Sequence, residues 1–317
     1  LIVPGFVDLH IHGALGIDFM TASRRDMETL CDHLEAVGYE AFLPTTVAAS
    51  ADDVLVALSN LPDRASVAGF HLEGPFIAPE HPGAQPRESI VDYPATASEW
   101  DAVLDDPRLR IVTLAPERPR ALELVRRLCE RGVVVSIGHT HATYDETRYA
   151  VEFGASHMTH FFNAMRPFHH REPGPVGYGL VNPGLITEVI ADGRHVAAEA
   201  LGLLLKTRPI DRVIAVSDAT AAAGLNPGTR LDLWGRAATI ERGEVRLADG
   251  TLAGSAITLL DAFRWLAETF DEETAARLCC INPRRALGLS GPPRVFVELG
   301  GEGKPLAVHR APSENVE

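Results

Sequence analysis

The 317-residue chain carries little positive charge for its size: 29 Lys and Arg stand against 43 Asp and Glu, a formal charge of −14. Such a balance excludes the broad basic face that nucleic acid or an anionic bilayer requires, so neither is expected as a partner. An anionic substrate must find its positive charge locally. No apolar run reaches the length of a spanning helix, roughly 18 residues or more, and Leu1-Ile2-Val3-Pro4 has no basic segment of the kind that opens a secretory signal. A cytoplasmic protein is the expectation. The start directly inside an apolar strand, without an initiator Met, reads as a trimmed N-terminus. Cysteine is also scarce. Cys31, Cys129, Cys279 and Cys280 sit in helical stretches without metal-type spacing, which excludes a thiolate metal site and leaves buried free thiols.

What is present is ordinary globular material, 46% hydrophobic and 23% charged with a mean hydropathy of +0.03. Short β-rich apolar runs alternate with amphipathic stretches, the pattern of a parallel sheet wound with helices. Eight strands are predicted, at Gly5 to His10, Ala41 to Val47, Val67 to Glu73, Arg110 to Ala115, Val133 to His139, His157 to Phe162, Ile186 to Ala191 and Arg212 to Ser217. Between them lie helix candidates at Arg24 to Val37, Asp52 to Leu61, Arg120 to Arg131, Tyr144 to Phe153 and Ala197 to Lys206. In the third of these, Leu122, Val125, Leu128 and Cys129 form the predicted apolar stripe. Eight β–α repeats read as a (β/α)8 barrel, an α/β fold whose active site lies where the strands end. The expected organisation is a barrel over 1–290 with a small antiparallel insertion near 229–253, then a C-terminal β remnant over 291–317.

The strand ends are where chemistry gathers. His10 and His12 close the first strand at a spacing that puts both imidazoles on one face of an extended backbone. Glu73 ends the third strand before a Gly-Pro turn, His139 ends the fifth, His160 lies on the sixth and Asp218 follows the eighth. At successive strand termini of one barrel these side chains converge on a single mouth. Imidazole and carboxylate without cysteine suit Zn or Fe(II), and point to a catalytic divalent metal rather than a structural one.

Through Pro4-Gly5-Phe6-Val7-Asp8-Leu9-His10-Ile11-His12-Gly13, His71-Leu72-Glu73-Gly74-Pro75-Phe76, Gly138-His139-Thr140, Thr159-His160-Phe161-Phe162-Asn163-Ala164-Met165, Ala191-Asp192-Gly193-Arg194-His195 and Ser217-Asp218-Ala219, the chain resembles the N-acetylglucosamine-6-phosphate deacetylases of the amidohydrolase superfamily. The first motif is common to the superfamily; the strand-three glutamate and the His-Phe-Phe-Asn-Ala-Met stretch are more specific to the deacetylases. The resemblance implies a (β/α)8 metal-dependent amide hydrolase of the amidohydrolase type that removes acetate from an N-acetyl amino-sugar phosphate. It implies one metal on Glu73, His139 and His160, and a second on His10 and His12, with Glu73 bridging and Asp218 near. Asp218 is implied as general base and then acid, His195 as a substrate contact near the amide, and Asn163 and Ala164 as phosphate neighbours. Arg171 matches an arginine that reaches the phosphate in the neighbouring subunit, which implies a homodimer.

Two departures from that pattern stand out. Gly83-Ala84-Gln85 replaces the usual Gly-Ala-His, so Gln85 is expected in the sugar pocket, where a neutral amide keeps a hydrogen bond to a hydroxyl but loses charge-assisted strength. The alternative for Gln85 is an unengaged loop residue. The customary small β-sandwich is reduced to the last two dozen residues, its N-terminal half missing. Elsewhere His33 and His81 read as solvated, His141, His169 and His170 as exposed loop residues, and Trp100, Trp234 and Trp265 as packing; no Gly-rich phosphate cradle is intact. Rival readings are deacetylation of a different amino sugar, such as the galacto epimer, and a catalytically idle barrel used as a binding module.

Overall fold

Eight short parallel strands close on themselves in the computed structural model, which describes residues 1–300 and 305–311. They are β1 (Phe6–Ile11), β2 (Tyr39–Pro44), β3 (Phe70–Glu73), β4 (Leu109–Leu114), β5 (Val134–Ile137), β6 (His157–Met158), β7 (Ile186–Ile190) and β8 (Val213–Val216). Strands β3 to β8 form a continuous parallel ladder, and β1 pairs with β2. Isolated bridges at Phe42 to Val67 and Thr45 to His71 join β2 to β3. The Asp218 N–H donates to the His10 carbonyl, and Ile11 bridges Ala219, which joins β8 back to β1. The chain thus builds the predicted (β/α)8 barrel.

The strands are buried on both faces, as parallel strands covered by helices must be. Outside, residues such as Phe42, Leu72, Val112 and Val189 pack with Leu30, Leu104, Leu124 and Leu204 of the helical layer in the principal core. Inside, Val7, Leu9, Ala41, Leu43, Ile111, Ile190, Ile214 and Val216 form a separate apolar cluster with Leu287. Helices begin where the sequence supplies caps: Ser23 and Asp26 reciprocate at the start of Arg24–Ala36, and Thr143 and Glu146 at the start of Tyr144–Glu152. The helix Ala121–Glu130 corrects one expectation. Its buried face is Ala121, Leu124, Val125 and Leu128, while Leu122 and Cys129 lie at the margin. The i, i+3, i+4, i+7 set that meets the barrel is centred one residue away from the predicted stripe.

After β8 the strands Arg230–Leu233, Arg236–Glu241, Glu244–Leu247 and Leu252–Ser255 make a four-stranded antiparallel sheet. Its apolar face, including Leu233, Ile240 and Val245, packs with Ala84, Ala221 and Ala222 at the barrel mouth. A last sheet pairs Ile2–Pro4 with Val295–Leu299, and that strand with Pro305–Arg310. The β remnant therefore draws on both ends of the chain, and not on the C-terminal residues alone as expected. Residues 301–304 and 312–317 of the expected remnant lie outside the described residues. Cys31, Cys279 and Cys280 are buried free thiols as expected, and Cys129 is free but half-buried. Among the described residues no helix is long and apolar enough to cross a membrane.

Candidate metal centre and active-site cavity

Each donor singled out at a strand end is carried to one point. Glu73 terminates β3, and its Oε1 lies 3.1 Å from His139 Nε2, 3.1 Å from His160 Nε2 and 3.4 Å from His10 Nε2. Glu73 Oε2 is 3.5 Å from His12 Nε2, so the carboxylate lies between the two histidine pairs. His139 and His160 bring their Nε2 atoms to 3.0 Å, and His10 and His12 to 3.2 Å. Asp218 Oδ1 sits 3.3 Å from His10 Nε2 and 3.2 Å from His12 Nε2. The first pair is not presented by a regular strand. Three steps from Asp8 to Ile11 match two from Phe42 to Pro44, a bulge that inserts one residue and re-aims the side chains beside it.

Backbone conformation shows that these positions are held rather than relaxed. His139, His160, Ala164 and Asp218 have φ of 47°, 29°, 49° and 48°, a left-handed region that costs a non-glycine residue about 1 kcal/mol or more. Hydrogen bonds then set ring chemistry. The His12 Nδ1–H donates to the Thr45 carbonyl at 3.1 Å and the His139 Nδ1–H to the His81 carbonyl at 2.9 Å. A carbonyl only accepts, so in the neutral form of both rings the Nε2 turned into the cluster is unprotonated, the state a metal requires. Among the described residues two groups meet the reach of a metal ion, His10, His12 and Glu73, and Glu73, His139 and His160, all buried. The donor set, its paired imidazole nitrogens and the shared carboxylate fit one or two divalent ions.

The cluster forms the floor of a cavity of about 260 Å³ lined also by Gln85, Asn163, Ala164, His195, Trp234 and Arg246. On its wall His195 Nδ1 donates to Asp192 Oδ2 at 2.7 Å, and the Asp192 Oδ1 accepts the backbone N–H of both Arg194 and His195. Burial opposes a charge on His195, but the Asp192 carboxylate outweighs it and holds the imidazole above its usual value. Burial likewise pushes Asp218 up, and the neighbouring imidazoles of His10 and His12 overcome it, holding Asp218 down to about 2. It is a carboxylate at neutral pH.

The amidohydrolase family profile matches residues 1–292. The chain belongs to the amidohydrolase family. It is a hydrolytic enzyme of that family. It is 37% identical over 279 residues to the N-acetylglucosamine-6-phosphate deacetylase of Bacillus subtilis (strain 168), covering 84% of this chain and 70% of that protein. It is 35% identical over 300 residues to the N-acetylgalactosamine-6-phosphate deacetylase of Escherichia coli O157:H7, covering 92% of this chain and 79% of that one. The crystal structure of the Mycobacterium smegmatis N-acetyl-D-glucosamine-6-phosphate deacetylase D267A mutant with N-acetyl-D-glucosamine-6-phosphate superposes with a TM-score of 0.92 at 34% identity, covering 98% of this chain and 85% of that one.

Within this amidohydrolase barrel the predicted site residues separate into two sets. His10, His12, Glu73, His139, His160 and Asp218 meet at the floor, and Gln85, Asn163, Ala164 and His195 stand on the walls. Arg171 is not among them. It is exposed, its Nη1 near His170 Nε2 at 2.9 Å, beside a separate depression lined by Thr143, Tyr144 and Asp145. Gln85 is no unengaged loop residue: it is 4% exposed, its Oε1 accepts the Ala48 N–H at 2.7 Å and its Nε2 donates to Glu73 Oε2 at 2.6 Å. One N–H of the amide is left for the cavity.

Two expectations about bystanders are corrected. Trp234 does more than pack, because its Nε1 donates to Asp18 Oδ2 at 2.9 Å and its ring meets His12 edge-on at 5.3 Å. His81 is half-buried and stacked on His141 with Nε2 to Nδ1 at 2.8 Å, while its carbonyl orients His139. Arg246 escaped sequence reasoning entirely. It reaches the cavity from the insertion, where Glu244 Oε2 and the Gly250 carbonyl accept from it. Its only signal is that an arginine lies on the sheet that covers the mouth.

Proposed function

We propose that the chain hydrolyses the N-acetyl amide of N-acetyl-D-glucosamine 6-phosphate to glucosamine 6-phosphate and acetate. The observation that carries this reading is the convergence of a Glu73-centred histidine cluster and the ionised Asp218 on the floor of a cavity walled by His195 and Asn163. Glu73, His139 and His160 would hold one ion and His10 and His12, with Glu73 bridging, a second, zinc by preference or iron, which polarises an amide carbonyl and lowers the pKa of water.

Asp218 accepts the proton of the attacking water as the water oxygen bonds to the carbonyl carbon. The same carboxyl then returns that proton to the amide nitrogen as the C–N bond breaks, so acetate and a free amine leave. His195, oriented by Asp192 and held above its ordinary imidazole value, stands beside the substrate. Asn163 Nδ2 is buried without a protein partner and lines the cavity, a donor suited to a phosphate oxygen next to the Ala164 backbone. Arg171, exposed and away from its own cavity, suits a phosphate in a neighbouring subunit, so the functional form is read as a homodimer. A phosphorylated sugar does not cross a bilayer unaided, which favours a cytoplasmic setting.

A second reading, the galacto epimer, is favoured by the Escherichia coli relative and by Gln85 in the pocket. Acetate release from a panel of N-acetyl hexosamines, with and without 6-phosphate, tests both. Turnover of the gluco phosphate above all others is expected; preference for the galacto phosphate selects the second reading, and no acetate from any member overturns both.

A further inference from the structure

Of the four histidines at the centre, His12 and His139 have carbonyl acceptors behind their Nδ1 atoms, whereas His10 and His160 do not, and of these two it is His10 that has a carboxylate in ion-pair range behind it. Its Nδ1 is buried with no hydrogen-bond partner. Directly behind it, on β7, stands Glu188, 0% exposed, with neither carboxylate oxygen hydrogen-bonded. Glu188 Oε2 lies 3.9 Å from His10 Nδ1, inside ion-pair range and beyond hydrogen-bond reach. An unsatisfied carboxylate deep in a barrel is costly, and a native protein keeps one only when something answers it. A shift of about 1 Å would close a bond from the His10 Nδ1–H to Glu188 Oε2.

Among the described residues Glu188 makes no other ion pair. His71, whose ring centre is 4.8 Å from that of His10, has both nitrogens committed, Nδ1 to the Leu9 carbonyl and Nε2 to Thr113 Oγ1. Thr113, Thr159 and Ser136 complete a chain of hydroxyl bonds among themselves. On its other side His10 Nε2 is crowded by His12, Glu73 and Asp218, all within 3.4 Å, so the ring's position is contested there and unsupported behind.

We propose that Glu188 is a positioning residue for the second metal: it accepts the Nδ1–H of His10, fixes the tautomer that presents a bare Nε2, and so sets affinity at the His10 and His12 site. Carboxylates behind metal-bound histidines raise ligand basicity and typically change metal affinity 10- to 100-fold. The inference rests on the hydrolase reading only in taking the His10 and His12 pair as ligands. It adds a residue that neither the motifs nor the cavity lining indicates.

The test is metal binding, not turnover. Metal-depleted protein is titrated with Zn²⁺ alone against a chelator, and bound metal is counted by elemental analysis. The unaltered protein is expected to bind two equivalents. Glu188→Leu is expected to keep the ion on Glu73, His139 and His160 at unchanged affinity while the second weakens at least tenfold, on the scale of such partners. Glu188→Gln, which keeps an acceptor, is expected to retain most of the second ion's affinity. A purely structural role would lower both ions together or neither.

Retention of both ions at full affinity in Glu188→Leu, or their joint loss from a folded protein, overturns the assignment. Should the leucine variant not fold, Glu188→Asp keeps the charge and withdraws it by one methylene; wild-type affinity for the second ion there overturns it equally. Uptake of a single ion by the unaltered protein removes the role of Glu188 but leaves the hydrolase reading standing, because acetate release decides that separately.

Discussion

Gln85 offers a quantitative test because both ends of its amide are engaged. In Gln85→Leu, Glu73 Oε2 loses a 2.6 Å bond from Nε2, and the buried Ala48 N–H loses its 2.7 Å acceptor. A hydrogen bond to a charged group contributes about 1.5–3 kcal/mol, and a buried N–H left unpaired costs about 1–3 kcal/mol. The leucine offsets roughly 1 kcal/mol by burying more apolar surface. A net loss of about 1.5–5 kcal/mol is expected, read from denaturant unfolding of the metal-depleted protein. Glu73 also loses the partner that orients it, so Zn²⁺ affinity should fall about 10- to 100-fold. Gln85→Glu separates the two halves: it keeps an acceptor for Ala48 but sets a second carboxylate against Glu73, and should spare less metal affinity than stability. A leucine variant within about 0.5 kcal/mol of the parent, with unchanged Zn²⁺ affinity, refutes the reasoning.

The other expectations follow from the site and from one group outside it. His139→Ala and His160→Ala should each lose metal and acetate release together, as elemental analysis and turnover will report; full metal content with full turnover in either contradicts the assignment. Asp218→Asn should still bind substrate while kcat collapses, and a kcat within about threefold of the parent, under 1.4 kcal/mol, removes Asp218 as the base. Arg171→Ala should raise KM for the phosphorylated sugar and spare the unphosphorylated one, and mixing it with Asp218→Asn subunits should restore activity if the arginine acts across a dimer; equal effects on both sugars contradict the phosphate role. His157 is pushed down from 6.5 to about 4 by burial, with Arg212 adding to the effect. The unfolded chain therefore takes up a proton that the folded one refuses, so stability is full above about pH 6.5 and falls by about 3 kcal/mol as pH drops to about 4. His157→Gln should flatten that part of the pH–stability curve, and an unchanged slope excludes His157 as its source.

Reading the chain alone located the barrel because strand–helix alternation is a local pattern, carried by runs such as Val133 to His139. It located the six floor residues for a related reason: a residue just past a barrel strand has one place to go, the mouth. Local pattern could not choose the buried face of Ala121–Glu130 to within a residue, since two neighbouring stripes are nearly equal in hydrophobicity and only packing against the barrel decides. Nor could it show that Ile2–Pro4 pairs with Val295–Leu299, a register between chain ends nearly three hundred residues apart.

The finer chemistry was decided by tertiary structure. Residue type makes a histidine a candidate ligand, but which nitrogen it offers depends on the group behind it, the Thr45 carbonyl for His12 and the His81 carbonyl for His139. Those partners come from other strands and loops, so they become neighbours only when the barrel closes. The same holds for Trp234 and Arg246, which the antiparallel insertion folds over the mouth, and for Gln85, whose amide meets Glu73 across a loop. Composition and spacing determined which chemistry is available; closure of the barrel determined the geometry, tautomers and charge states in which it is presented.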